Sequence, residues 1–278
     1  MSLTKTIRYK LLNTLNLKAL DEKLTAQKLT QKTSGAIVTF TSVPKRIPFI
    51  KPTLISLLKQ IEPPERIEIN LSRSLFPDQN IPDFLKNLNM IKICWQDTDY
   101  GPATKLIGTL KRYHGNNTPI IVVDDDMYYS SRLIEDLMAA YRARTSNEVF
   151  CINGFLIPKD LKSESIGSDK ALKAGIRKVG VIEGCGGYIL NSNLLTPNIL
   201  LDLNNTSHRV LFDDDIWFSG HLSRLKVNKY QISTGRRKSL INTIETAISG
   251  DRQALQTGVM NYFANDWKPD EYQNTLIN

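Results

Sequence analysis

Cysteine and histidine are both scarce in this sequence, with 3 of each among 278 residues. Cys94, Cys151 and Cys185 are widely spaced and no CxxC pair occurs, which excludes a disulfide framework and argues against a zinc site. They read as small apolar core residues in a reducing compartment. No stretch approaches the roughly 18 uninterrupted apolar residues of a membrane-spanning helix. The opening MSLTKTIRYKLLNTLNLKALDEKL lacks the continuous apolar core of an export signal, so a soluble, unexported, cytoplasmic protein is expected. Internal repeats, low-complexity tracts and a phosphate-cradling GxxxxGK[ST] loop are also missing.

What is present has an ordinary globular balance with a positive bias. Apolar residues at 41% and charged residues at 23% exclude a disordered or fibrous chain. The length fits one large domain or two intimately packed ones. Lys and Arg number 36 against 28 Asp and Glu, a formal charge of +8. That excess implies an anionic partner without choosing among nucleic acid, membrane headgroups and phosphorylated small molecules.

Residues 1–34 carry Leu11, Leu12, Leu15, Leu20 and Leu24 on one face of a helical arm that packs on the body or on a partner. From Gly35 the texture changes. GAIVTFTSV, RIEINLS, IKICWQ, PIIVV and EVFCING read as strands, separated by helical patterns over Pro48–Gln60, Pro102–Tyr113 and Ser131–Arg144. This alternation predicts an α/β fold, a Rossmann-type mixed, mostly parallel sheet with helices on both faces. Ligands bind beyond the carboxyl ends of such strands.

The second half is less regular. Residues 159–180 are polar and Lys-rich and read as a surface excursion. Then come VIEGCGGYIL as a glycine-punctuated strand, LFDDDIWFSGHLSRL as a helix begun by acids, KVNKYQIS as a strand, STGRRKS as a basic turn, and a helix over Thr243–Ala264. The expected organisation is the arm 1–34, a catalytic unit 35–240 with halves at 35–153 and 154–240, and a helix and tail at 241–278.

PIIVVDDD is the most informative segment, an apolar run ending in three carboxylates. Burying Asp124–Asp126 without a counter-cation would be costly, so something positive belongs there. The donors are hard oxygens with no adjacent Cys or His, which points to Mg²⁺ or Mn²⁺. Alternation along extended backbone lets Asp124 and Asp126 share a ligand while Asp125 faces elsewhere. The same residues would also serve as a solvated turn or helix cap, and their place after IIVV favours function. Glu183–Tyr188 removes side-chain bulk where backbone approaches a ligand, or forms a β-bulge. Asp213–Asp215 suit a helix N-terminus electrostatically with or without a chemical role.

Taken in order, VTFTSVPKRIPFIKPTLISLLKQ, DYGPATKL, IIVVDDDMYY, EGCGGYIL and FDDDIWFSGHL resemble the DxD-type, nucleotide-sugar-dependent glycosyltransferases of the GT-A fold, exostosin-like and family 2-like, over about residues 35–232. The resemblance implies a nucleoside diphosphate sugar donor, a UDP-sugar foremost, a hydroxyl acceptor on a glycan, polysaccharide or lipid-linked carbohydrate, and Mn²⁺ or Mg²⁺. It sets Thr39, Thr41 and Arg46 along the nucleotide, with Arg46 equally readable as a surface residue. It sets Asp99 and Tyr100 at the base, and Lys105 at phosphate or paired with the acids, although this stretch is also a good turn and helix start. Asp124 would contact ribose or metal, Asp126 the metal, and Asp125 the sugar ring or a nearby donor. Gly186 and Gly187 would line the sugar pocket.

By the same resemblance Asp214 or Asp215 attends the acceptor hydroxyl, as general base in an inverting enzyme or as an orienting group in a retaining one. His221 is the candidate late metal ligand, with local hydrogen bonding as its alternative. Arg236 and Arg237, with Lys238, would close over diphosphate or form a solvated turn. Trp217 and Trp267 are expected in the core. A metal-dependent phosphotransferase or nucleotidyltransferase is the competing enzymatic reading. A non-catalytic basic module for glycan or nucleic acid ranks last, because Lys and Arg are spread along the chain, and nucleic acid is not expected as a partner. Peripheral membrane association stays open.

Overall fold

The computed structural model describes residues 12–31, 33–144, 147–167, 174–233 and 252–273. Arg236, Arg237 and Lys238 lie outside the described residues, as does the start of the helix expected from Thr243. Among the described residues eight strands form one sheet: β1 (Ile37–Thr41), β2 (Arg66–Ser72), β3 (Ile91–Gln96), β4 (Pro119–Val122), β5 (Glu148–Phe155), β6 (Gly175–Lys178), β7 (Val181–Asn191) and β8 (Asn228–Ser233), in the order β3-β2-β1-β4-β7-β5-β8-β6. β1, β2, β3 and β4 are mutually parallel, as are β5 and β8. β7 runs antiparallel to β4 and β5, and β6 antiparallel to β8. The fold is therefore α/β with a Rossmann-like mixed, mostly parallel sheet, as expected.

Helices α1 (Leu17–Thr30), α2 (Lys51–Leu58) and α4 (Leu133–Ala143) cover one face, packing Leu24, Leu54 and Leu137 on Phe40, Ile69 and Phe150. Helices α3 (Thr104–Tyr113), α6 (Asp214–Arg224) and α7 (Arg252–Tyr262), with the short α5 (Pro197–Leu200), cover the other through Leu106, Phe218 and Met260. Burial on both faces explains why β4 reads as an unbroken apolar run rather than an alternating one, and why β1 is buried at every position from Ile37 to Phe40.

α1 starts where the Asn16 side chain accepts the Ala19 N–H at 3.2 Å. It docks on the body through buried Leu17 and Leu24. Between them Asp21 is also buried, because its carboxylate accepts the Asn89 and Met90 N–H groups at 2.7 and 2.9 Å. No helix among the described residues is long and apolar enough to cross a membrane.

Part of the Lys-rich stretch 159–180 departs from a plain surface excursion. A 3₁₀ turn at Ser163–Ser165 docks on α7, Ser163 Oγ donating to the Gln253 carbonyl at 3.0 Å, and Gly175–Lys178 forms edge strand β6. Exposed edge strands carry few apolar side chains, so the composition hid this one. Residues 268–273 form a closing strap. Glu271 is buried against Lys229 at 2.8 Å, its other oxygen accepts from Ser223 Oγ at 2.7 Å, and Ile157 donates its N–H to the Glu271 carbonyl while its own carbonyl accepts the Gln273 N–H.

Candidate active site

The apolar stretch of β4 continues through fully buried Val123, and the chain reaches the sheet's carboxyl edge as Asp124–Asp126. The chain turns at Asp125–Asp126 instead of staying extended, so Asp125 and Asp126 share Arg46 while Asp124 pairs with Lys105. Asp125 turns inward, where its Oδ2 accepts from Ser42 Oγ at 2.6 Å, Arg46 pairs with its Oδ1, and Thr53 Oγ1 donates to its carbonyl at 2.7 Å. Burial pushes the Asp125 carboxyl up to about 6, against the opposing pull of Arg46. Of the two partners expected for Asp125, a nearby donor is the one seen, and through Ser42 and Arg46 it ties the acidic loop to the β1–α2 connection. Arg46 also reaches Asp126 Oδ2 at 3.0 Å, which gives it a defined place beside the acids.

Asp124 and Asp126 stay partly exposed, at 28% and 20% of their side chains. Tyr129, which the sequence reading passed over, fixes the backbone here. Its hydroxyl accepts the Asp124 N–H at 2.8 Å and reaches the Gly184 carbonyl at 3.3 Å.

Lys105 joins the two acid triplets. Its Nζ lies 2.7 Å from Asp124 Oδ1, 3.0 Å from Asp214 Oδ2 and 3.9 Å from Asp215 Oδ1, in a side chain only 4% exposed. Although burial works against the ammonium, Asp124, Asp214 and Asp215 together hold its pKa well above the ordinary lysine value. Of the two roles expected for it, pairing with the acids is the one seen. Across the same site burial raises the Asp214 carboxyl to about 6 and also raises that of Asp215, and Asp215 Oδ1 accepts the Gly184 N–H at 3.1 Å. The Tyr188 ring is fully buried, and its hydroxyl has no hydrogen-bond partner among the described residues.

The glycine run belongs to the site through a different glycine from those expected. A Cβ on Gly184 would lie 2.7 Å from Lys105 Nζ and 2.8 Å from Asp124 Oδ1, so only glycine leaves room for this ion pair. Gly186 instead faces the Asn153 backbone on β5, where a Cβ would stand 2.6 Å from its nitrogen, and Gly187 has φ +84° beside Leu133. Their role as pocket lining is corrected to strand packing at the irregular register between Cys151 and Asn153. Gly184→Ala is expected to separate Lys105 from Asp124 and cost about 1–3 kcal/mol, as overpacking a filled site does, measurable by urea denaturation.

Other expected contacts are also reassigned. Thr39 is fully buried, with its Oγ1 donating to the Lys105 carbonyl at 2.8 Å, so it faces α3 and not a nucleotide. The Tyr100 ring is buried under Lys111, whose Nζ lies 4.8 Å from its centroid and 3.0 Å from its hydroxyl, which removes it as a stacking platform. Thr41 is partly exposed at the end of β1 and donates to the Asn70 carbonyl at 2.7 Å. Asp99 is partly exposed and accepts the Gly101 N–H at 2.9 Å.

His221 is not brought to the acids. Its ring is buried edge-on to Trp217 and Phe263, at 4.5 and 5.0 Å between centroids, and neither nitrogen has a hydrogen-bond partner among the described residues. Burial lowers its pKa to about 4. Both the metal role and the local hydrogen bond are corrected to core packing, because α6 turns this face toward α7. Trp217 and Trp267 lie in the same core, as expected.

Among the described residues no three His, Cys, Asp or Glu side chains are grouped to hold a metal unaided. The residues do suit a hard cation that arrives with phosphate oxygens. Asp124 and Asp126 are partly open carboxylates, and burial, then repulsion from Asp124, raises the Asp126 pKa against the pull of Arg46.

No family model matches the chain, and no curated protein matches it. Among solved structures it is similar to S. aureus TarS 1–349 at 16% identity and TM-score 0.43, covering 85% of this chain and 66% of that one. It is similar to the mannosyltransferase PcManGT from Pyrobaculum calidifontis in complex with GDP-Man and Mn²⁺, at 12% identity and TM-score 0.42, covering 78% and 66%. A UDP-glucose pyrophosphorylase from Acinetobacter baumanii gives 9% identity and TM-score 0.47, covering 85% and 95%. The chain spans just under two thirds of the length of the first two.

Proposed function

We propose that this chain is a metal-dependent glycosyltransferase that moves a sugar from a nucleoside diphosphate sugar, a UDP- or GDP-sugar, to a hydroxyl on a carbohydrate acceptor. The observation that carries this reading is the Lys105 ammonium, which joins the strand-end acids Asp124–Asp126 and the helix-start acids Asp214 and Asp215 into one centre. A donor and an acceptor need two acidic functions side by side. Asp124 and Asp126 would hold Mn²⁺ or Mg²⁺, which when bound supplies charge neutralisation for diphosphate. Arg46, beside them, is placed to add a guanidinium to that anion. The raised carboxyls of Asp214 and Asp215 suit a group that takes a proton from the acceptor hydroxyl near neutral pH. On this reading residues 35–153 carry the donor side and 154–240 the acceptor side. The order of the sequence motifs supports the same assignment.

The test is a panel of UDP-, GDP- and CDP-sugars with Mn²⁺ or Mg²⁺, read by thermal shift and slow donor hydrolysis. At least one donor is expected to raise the melting temperature only when metal is present. Asp126→Ala is expected to abolish that shift and reduce hydrolysis by roughly 10²–10³-fold, the scale for losing one electrostatic stabiliser. No metal-dependent response to any nucleotide would overturn the reading, and pyrophosphate release from a nucleoside triphosphate would replace it with nucleotidyl transfer.

A further inference from the structure

We infer that Thr39 and Asn70 are positioning residues for Lys105, acting through its backbone carbonyl rather than through any ligand. Three side-chain donor groups converge on that one oxygen: Thr39 Oγ1 at 2.8 Å, Asn70 Nδ2 at 3.2 Å and Thr109 Oγ1 at 3.2 Å. Asn70 is itself held, since its Oδ1 accepts from Arg112 at 2.8 Å and Gln96 at 3.2 Å, while Arg112 also pairs with buried Glu68 at 2.5 Å. The group is sealed within the body, with Thr39, Asn70, Thr109 and Glu68 all fully buried.

Packing α3 on the sheet does not require this. Leu106, Ile107 and Leu110 already supply a buried apolar face, and polar groups without access to water are costly unless each is satisfied. What apolar contact supplies poorly is the rotation of the helix about its own axis, and the α3 N-terminus has no side-chain cap to fix it. A rotation of roughly 20° would carry an atom about 8 Å from the helix axis through about 3 Å. That displacement would break the Lys105 contacts at 2.7 and 3.0 Å together. At Gly108 the helix lies so close to the sheet that a Cβ would be 2.5 Å from Asn70 Oδ1, which ties the clamp to one seating of the helix.

The inference rests on the proposed transfer only for the use made of Lys105, and its test involves neither nucleotide nor metal. In ¹⁵N-labelled protein near neutral pH, side-chain ammonium NMR is expected to show a slowly exchanging Lys105 signal, assigned by its loss in Lys105→Arg. Buried Lys229, paired with Glu271 at 2.8 Å, supplies an internal reference. Thr39→Val is expected to abolish or shift the Lys105 signal and leave Lys229 unchanged, while Thr39→Ser, which keeps the hydroxyl, retains both. Asn70→Leu is expected to behave as Thr39→Val does.

A Lys105 signal unmoved in Thr39→Val, or absent from the wild-type protein, would overturn the inference. Loss of both lysine signals in Thr39→Val would overturn it equally, by showing a hydroxyl that holds the whole fold. A protein that passes this test yet binds no nucleotide sugar would refute the transfer and leave the clamp standing.

Discussion

Lys105→Met is expected to lower stability by about 3–5 kcal/mol at pH 7.5, the scale for breaking a buried ion pair by removing one partner. Methionine nearly preserves the volume, so the loss isolates charge. Without the ammonium, Asp124, Asp214 and Asp215 face one another across a mostly buried centre. The deficit should shrink at acid pH, and the sign follows from the raised carboxyls. Asp214 takes up its proton near 6 in the folded protein against an ordinary 3.8, so between those values the native state binds more protons than the unfolded chain. This stability is fully present below pH 3.8 and lost as pH rises through about 6 in the wild type, where Lys105 pulls the carboxyl down; without Lys105 the carboxyl rises further, so the variant gains more than the wild type on acidification. Urea midpoints of wild type and variant should therefore lie closer together at pH 5.5 than at pH 7.5. A gap that widens on acidification would refute this account of the centre.

The second large effect is expected far from the acids. Glu271→Ala strands Lys229, which is fully buried and whose pKa burial already lowers to about 8. About 3–5 kcal/mol should be lost at pH 7, with the 268–273 strap released to proteolysis. Glu271 holds the Lys229 pKa up at about 8 in the wild type, so without it the folded variant sheds this proton at lower pH, and raising the pH towards 8 should recover part of the loss. The double variant Lys229→Met/Glu271→Leu should be much closer to wild type than Glu271→Ala, since a well-packed apolar pair can replace a buried ionic one. If the double variant is no better, the strap is held by its backbone bonds and not by charge.

The acids were legible because a charge run ending an apolar strand is visible in one dimension, and Lys105 because a lysine just inside a helix start is a natural companion for them. The errors share a cause, which is that residue type does not reveal where a side chain's partners lie. Thr39 and Tyr100 have groups suited to a nucleotide, but α3 and Lys111 engage them inside the protein. Choosing among the glycines of β7 required knowing where its pairing with β5 becomes irregular, which depends on a strand about 30 residues away. The insertion of β7 between β4 and β5 was likewise invisible, since strand order is set by long-range pairing rather than local pattern.

That insertion bears on how the chain is made. During synthesis β1, β2, β3 and β4 can pair as soon as they emerge, but β4 then presents bare amide and carbonyl groups until Val181–Asn191 arrives to cover them. Through the whole interval from 123 to 180 the nascent sheet carries an open edge next to its most apolar strand. Slow passage of the ribosome over that interval should favour sticking between nascent chains, and expression at lower temperature or with a holding chaperone should raise the soluble yield.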